Sequence, residues 1–114
     1  MDAVELCKCL GEDTRLLIVG LLMREGELCV CELTAALDLS QPKVSRHLAR
    51  LRSGGVLSDR RCGQWVYYGL NPELPKWALT VLDAAAEGNA APLQAALARL
   101  QAMGNRPQRR AAFC

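Results

Sequence analysis

The sequence has no apolar run of about 18 residues without a charge, so we expect no membrane-spanning helix. It begins MDAVELCKCL, with an early acidic residue and no basic segment, so we expect no secretory signal peptide. No Gly-rich loop precedes any of the six cysteines, as an anion-binding thiol enzyme would require. We therefore predict a protein that is not an enzyme and that stays in the cytoplasm with reduced thiols.

The composition is that of a folded chain, because 51% of the 114 residues are apolar. We see no internal repeat, and no Pro-, Gly- or Ser-rich stretch that would separate two domains. We predict one domain over residues 1–103 and a flexible basic tail over residues 104–114, which contains Arg106, Arg109 and Arg110.

Positive charge is concentrated in the middle of the chain. Residues 40–62 contain six Lys or Arg residues against Asp59 alone, a net charge of +5, whereas the whole chain carries only +2. A basic segment in an otherwise acidic small protein indicates a surface that binds anions, and nucleic acid is the partner we expect.

The hydrophobic pattern predicts mainly helices and one β-hairpin. An apolar helix opens at Glu12-Asp13-Thr14 and ends at Gly26. The other predicted elements are a short amphipathic segment over 2–10, a loop or strand from residue 27 leading into a helix that ends at Leu37, a helix over 41–52, strands over 56–61 and 65–70, a helix over 74–86 and a last helix from Pro92.

The 41–52 helix has the character of a DNA-recognition helix. Val44, Leu48 and Leu51 recur at helical spacing and are expected to face the core. Cationic and amide side chains on the remaining surface suit the major groove, and the hairpin tip suits the DNA backbone or minor groove. The predicted DNA-binding residues are Gln41, Lys43, Ser45, Arg46, His47 and Arg50 in the helix, and Arg60, Arg61 and Gln64 near the tip.

Two helices joined by a tight turn and followed by a β-hairpin form a winged helix-turn-helix pattern. We therefore predict a mainly α-helical fold with a small β-hairpin. We expect Trp65, Tyr67 and Tyr68 to pack the sheet against the helices rather than to contact a ligand.

The stretch ELCVCEL holds two cysteines one residue apart, Cys29 and Cys31. Thiolates prefer soft, thiophilic ions, and sulfurs that share one such centre lie about 3.5–4 Å apart, judging from metal–sulfur bonds of about 2.3 Å. Side chains at i and i+2 of an intact helix diverge. We therefore expect this pair at the start of a helix, where the backbone can bend.

The sequence resembles the ArsR/SmtB family of bacterial metal-responsive repressors, and within it the arsenic-responsive branch. The resemblance rests on LGEDTRLLIVGLL, ELCVCEL, LSQPKVSRHLARLRSGGVL and DRRCGQWVYYGLNPELPKWA. It implies a homodimeric repressor that binds double-stranded, palindromic operator DNA and releases it when trivalent arsenic or antimony binds cysteine thiolates. It also implies a dimer interface built from the first and the C-terminal helices, here residues 3–10 and 76–103.

One position departs from the C-x-C-x-x-C motif of that branch, because Thr34 stands where the third cysteine would be. Cys29 and Cys31 remain the predicted ligands, and the third is open between Cys62, Cys7, Cys9 and Cys114. The family's alternative zinc site requires histidine on the C-terminal helices, whereas the only histidine here is His47. A thiol redox-sensing repressor of the same fold is the alternative function.

Overall fold

The computed structural model describes residues 1–104 and 106, which form six helices and three strands. Gly104 and Arg106 are therefore the described part of the predicted basic tail, and residues 105 and 107–114, including Cys114, lie outside the described residues. In chain order the elements are α1 (Ala3–Leu10), α2 (Asp13–Glu25), β1 (Glu27–Cys29), α3 (Val30–Leu37), α4 (Gln41–Ser53), β2 (Leu57–Cys62), β3 (Trp65–Leu70), α5 (Lys76–Glu87) and α6 (Ala90–Gln101).

Helix α2 lies at the centre of the fold. Its residues 18–22 are all buried, in agreement with the apolar pattern of the sequence. The Glu12 carboxylate caps it by accepting the Arg15 N–H at 3.0 Å, and Gly26 ends it with a positive φ of 87°. Helices α1, α3, α4, α5 and α6 and the sheet all contact it.

Helices α3 and α4 are joined by a turn at residues 38–40, in which Asp38 adopts a left-handed φ of 54°. Ser40 is the N-cap residue of α4, and Pro42 lies in its first turn. Val44, Leu48 and Leu51 are fully buried, as their spacing predicted. The opposite side of α4 therefore faces outward.

The sheet is antiparallel with strand order β1-β3-β2. Strands β2 and β3 form the predicted hairpin, in which Cys62 is opposite Trp65 and Gly63 takes a φ of 61° in the turn. Strand β1 adds a third strand by pairing Cys29 with Tyr67. The sequence left residues 27–29 open between loop and strand, and pairing with β3 makes them a strand.

The last two helices, α5 and α6, both pack against α2, and α6 also packs against α3. Helix α5 begins at Lys76 rather than Leu74, because Pro75 stands at its N-cap. Helix α6 begins two residues before Pro92 and packs on α2 and α3. It approaches α2 closely at Gly20, where a Cβ would lie 3.2 Å from Leu93 Cδ1.

This architecture confirms the predicted fold class, a mainly helical winged helix-turn-helix with a small antiparallel sheet. Across residues 1–104 and 106, no helix combines the length and apolar character needed to cross a membrane.

Candidate thiol site and nucleic-acid interface

The two cysteines of ELCVCEL meet where β1 ends and α3 begins. Cys29 is both the last residue of β1 and the N-cap of α3, with extended backbone angles (φ −83°, ψ 168°). Cys31 is the second residue of the helix. Because the backbone bends at Cys29, the two Sγ atoms lie only 2.7 Å apart. The helix-start geometry expected from the spacing is therefore present.

Glu32 holds the first turn of α3 in this shape. Its Oε1 accepts the Cys29 N–H at 3.0 Å, and its own N–H points at Cys29 Sγ, so the two residues form a reciprocal capping box. The Glu32 side chain is fully buried, and its Oε2 accepts a hydrogen bond from Arg106 Nε at 2.7 Å. Sequence reasoning assigned Glu32 no role, although a Glu at the third position of a helix is the signal for a capping box.

The environment keeps Cys29 protonated at neutral pH. Burial, and then the hydrogen bond with Cys31, raise the pKa of the Cys29 thiol to about 12. An incoming ligand therefore meets a neutral thiol at this position.

A cavity of about 340 Å³ opens onto the thiol pair. Its polar lining includes Thr34 from α3, Gln41 from the start of α4 and Gln64 from the hairpin turn. Val30, Trp65 and Val66 supply the apolar lining. The cavity thus places the thiols next to both parts of the predicted DNA-binding surface.

The candidates for a third sulfur lie in different parts of the molecule. Cys62 packs in one cluster with Cys29, Cys31 and Tyr67. Cys7 is exposed on α1, whereas Cys9 is buried there, 3.3 Å from Arg50 Nη1. Within the described part of the chain, no group of three or more His, Cys, Asp or Glu side chains is placed to hold a metal ion.

Seven of the nine predicted DNA-binding residues are exposed along α4 and at the hairpin, and one of them, Arg60, also pairs with an acidic side chain. The other six lie in the first turn of α4, on its outward side, or beside the turn at Gly63. They are Gln41, Lys43, Ser45, Arg46, Arg61 and Gln64.

Three of the nine, Arg60 among them, contact acidic side chains of the same chain. Arg50 Nη1 lies 3.0 Å from Glu5 Oε1, and this hydrogen bond raises the pKa of Arg50. His47 Nδ1 lies 3.5 Å from Glu12 Oε2.

Arg60 is held in the same way, because its Nε and Nη2 both donate to Glu27, and its guanidinium carbon lies 5.2 Å from the centroid of the Tyr67 ring. In this state these three side chains connect elements of the fold.

The aromatic residues of the hairpin do not share one role. Tyr67 is buried against Cys29 and Cys62, and Tyr68 packs partly against the main core. Trp65 is 37% exposed and lines the thiol cavity. The prediction that all three pack the sheet against the helices is therefore wrong for Trp65, which lies at the exposed end of β3.

Comparisons with known proteins agree with this arrangement. Residues 12–59 match the family described as "Bacterial regulatory protein, arsR family". The chain is 57% identical to the arsenic resistance transcriptional regulator ArsR1 of Pseudomonas putida KT2440 over 101 residues, covering 89% of this chain and 79% of that protein.

It is 56% identical to the arsenical resistance operon repressor of Escherichia coli K12 over 82 residues, covering 72% and 70% of the two chains. Among solved structures, the AntR antimony-specific transcriptional repressor superposes with a TM-score of 0.64 at 33% identity, covering 80% of this chain and 79% of that one.

Proposed function

Because this chain belongs to the ArsR family of bacterial transcriptional regulators, which are not enzymes, we propose that it is an arsenic-responsive repressor. It binds operator DNA and dissociates when trivalent arsenic or antimony binds Cys29 and Cys31. The observation that carries the proposal is the thiol pair, with Sγ atoms 2.7 Å apart, in a cavity bordered by the start of the recognition helix.

The protonated state of Cys29 suits arsenous acid as the inducer. Arsenous acid is neutral and carries three hydroxide groups. Each As–S bond forms as one hydroxide leaves with the thiol proton as water, so two thiols yield a bis-thiolate arsenic hydroxide and two waters. This exchange releases no proton to solvent, in contrast to the binding of a divalent cation, which requires two thiolates and releases their two protons.

Binding has to change the first turn of α3. Two sulfurs on one soft centre are separated by about 3.5–4 Å, whereas Cys29 Sγ and Cys31 Sγ are 2.7 Å apart. The sulfurs must therefore move apart by about 1 Å, and the capping box between Cys29 and Glu32 must adapt. Helix α3 leads through the turn at residues 38–40 into α4, so this movement favours an α4 orientation that does not fit the major groove.

The partner in this proposal is double-stranded operator DNA bound by a homodimer. The exposed Lys43 and Arg46 of α4 supply the groove contacts, and Arg61 and Gln64 supply those of the wing. Three large apolar side chains on α1 and α5 remain exposed in the single chain, namely Val4 (66%), Trp77 (40%) and Leu79 (41%). They support dimerisation through residues 3–10 and 76–103, and a regulator of this kind acts in the cytoplasm.

The decisive experiment is operator binding, followed by fluorescence anisotropy and titrated with arsenite, antimonite, Zn²⁺ and Cd²⁺. The wild-type protein should leave the operator with arsenite and antimonite at the lowest concentrations. Cys29→Ser and Cys31→Ser should each keep operator binding and lose release, because serine is a poor ligand for a soft ion. Cys7→Ser is the matched control and should respond like the wild type. Normal release in both pair variants would place the sensor elsewhere.

The remaining ligand is tested by Cys62→Ser, Cys9→Ser and Cys114→Ser in the same assay. Cys62 packs in one cluster with the pair, but its sulfur is in a disulfide in this structure, so it would have to be reduced before it could bind arsenic. A loss of arsenite affinity in one of these variants identifies the third sulfur. Unchanged affinity in these three variants and in Cys7→Ser indicates a site of two protein sulfurs completed by hydroxide.

The 2.7 Å approach of the two thiols also supports the alternative, a redox-sensing repressor. Peroxide would oxidise the pair to a disulfide with release of two waters. A disulfide between residues i and i+2 is strained, and the two relatives described above, at 57% and 56% identity, are arsenic resistance regulators. Peroxide that releases the operator at concentrations below those of arsenite would favour the redox function.

A further inference from the structure

Besides the two thiols, the side chain of Glu32 holds the thiol site in its observed geometry. The buried Glu32 uses both carboxylate oxygens, one on the Cys29 N–H at 3.0 Å and the other on Arg106 Nε at 2.7 Å. Any movement of the first turn of α3 must change the first of these contacts. The second contact connects that turn to the chain beyond α6.

Arg106 bridges two acidic residues from different helices. Its Nη2 donates to Glu25 Oε1 of α2 at 3.2 Å, while its Nε donates to Glu32 of α3. Burial opposes the charge on Arg106, but the hydrogen bonds and charges of Glu32 and Glu25 outweigh it and raise its pKa. The side chain is 31% exposed, so it covers the carboxylate of Glu32 at the surface of the protein.

The opposite end of α3 is held from the same side. Arg99 of α6 donates its Nε–H to the carbonyl oxygen of Ala36 at 2.7 Å, close to the end of α3 at Leu37. Residues of α6 and just beyond it therefore contact both ends of α3. The contact at the thiol end is the one that inducer binding has to disturb.

We propose that Arg106 is a positioning residue that clasps Glu32 in the ligand-free form and thereby sets the arsenite concentration at which the repressor leaves its operator. This inference rests on the proposed function. Contacts made only in the ligand-free form oppose ligand binding by their full free energy. Arg106 thus holds the two sulfurs 2.7 Å apart until the inducer forms two As–S bonds.

The test is Arg106→Gln, which removes the charge and the forked contact. The arsenite concentration for half-maximal operator release should fall about tenfold, the factor that corresponds to one charge-assisted hydrogen bond of about 1.4 kcal/mol. Operator affinity without arsenite should change less than about twofold, because a strongly favoured ligand-free form stays the major one after such a shift. A residue with only a structural role would lower both quantities together.

Two further variants sharpen the result. Arg24→Gln removes the same charge from the exposed last turn of α2, next to Glu25, and should leave the half-maximal concentration unchanged. Arg106→Lys keeps the charge but cannot reach Glu32 and Glu25 as a fork, so it should give an intermediate shift. It also provides the answer if Arg106→Gln does not fold.

A second measurement does not depend on arsenic. Iodoacetamide labelling, read by peptide mass spectrometry, should modify the peptide with Cys29 and Cys31 faster in Arg106→Gln, with the exposed Cys7 as internal reference. If labelling is faster in Arg106→Gln but the wild-type protein does not respond to arsenite, the role of Arg106 is supported and the proposed function is refuted. An unchanged or raised half-maximal concentration, together with unchanged labelling, would overturn the role of Arg106.

Discussion

Cys7 and Cys9 repeat the spacing of Cys29 and Cys31, but the two pairs lie in different backbone geometries. Cys7 and Cys9 lie inside α1, an uninterrupted helix capped by the Asp2 side chain. One thiol therefore points to solvent and the other into the core. Cys29 stands on extended backbone at a helix start, and its Sγ reaches within 2.7 Å of Cys31. The backbone, and not the C-x-C spacing, brings two sulfurs together.

The two cysteine pairs also differ in the residues that surround them. Cys9 Sγ lies in the core, 3.3 Å from Arg50 Nη1 and close to Gly54. The second pair faces a cavity that borders α4 and the hairpin. We therefore assign packing to Cys9 and ligand binding to the pair at the start of α3.

The largest expected effect comes from removing one pair at a time. Cys29→Ser with Cys31→Ser should abolish arsenite binding measured by isothermal titration calorimetry, because the other C-x-C pair has one thiol exposed and one buried and does not bring its sulfurs together. Cys7→Ser with Cys9→Ser should retain the wild-type affinity. Loss of affinity in the second double variant would transfer the site to α1.

The next effect is a difference in thiol reactivity. The pKa of Cys29 is raised from 9.0 to about 12, so at pH 8 its alkylation should be at least about a hundredfold slower than that of exposed Cys7. The rate should rise with pH up to about 12. Because the folded state resists losing this proton, the free energy of unfolding should fall as the pH rises from 9 toward 12. Equal alkylation rates at pH 8 would contradict the buried, neutral thiol.

Adding a sulfur should strengthen the site. Thr34 lines the same cavity and donates its hydroxyl to the Cys31 carbonyl at 2.8 Å. Thr34→Cys should raise arsenite affinity about tenfold, or about 1.4 kcal/mol, by exchanging a hydroxide on arsenic for a third thiol. Thr34→Ser keeps a hydroxyl at this position and serves as the control. Equal affinities of the two variants would mean that residue 34 does not reach the bound arsenic.

The smallest effect tests the packing role of Cys9. A Cβ on Gly54 would lie 2.5 Å from Cys9 Sγ, so Gly54→Ala should lower the free energy of unfolding by about 1 kcal/mol or more. Adding Cys9→Ala should recover part of that loss, and thermal unfolding of the four proteins of this double-mutant cycle measures the coupling. Purely additive losses would mean that the two residues do not press on each other.

Most of the fold could be predicted from the sequence because its signals are local. The buried triplet of α4 and the glycine ends of α2 and α4 identified those helices within a residue or two. The pairing of β1 with β3 could not be predicted, because three residues carry no period and their partner lies about forty residues away.

The chemistry of the candidate site could be predicted from the sequence, but the side-chain contacts that hold the site in place could not. The spacing of Cys29 and Cys31 required a bent backbone, and the structure provides one. The contacts of Glu32 with Arg106 and of Arg50 with Glu5 join residues far apart in sequence. No local pattern encodes such pairs, so the roles of these residues became visible only in three dimensions.

The internal ion pairs of the basic segment also determine how strongly salt should weaken operator binding. Of its six cations, Arg50, Arg52 and Arg60 pair with Glu5, Asp59 and Glu27, whereas Lys43, Arg46 and Arg61 have no ion pair within the described residues. A dimer that uses only the latter three per subunit would displace about six counterions from DNA. The logarithm of its affinity should then fall against the logarithm of salt concentration with a slope of about −5, rather than the about −11 that all six cations would give.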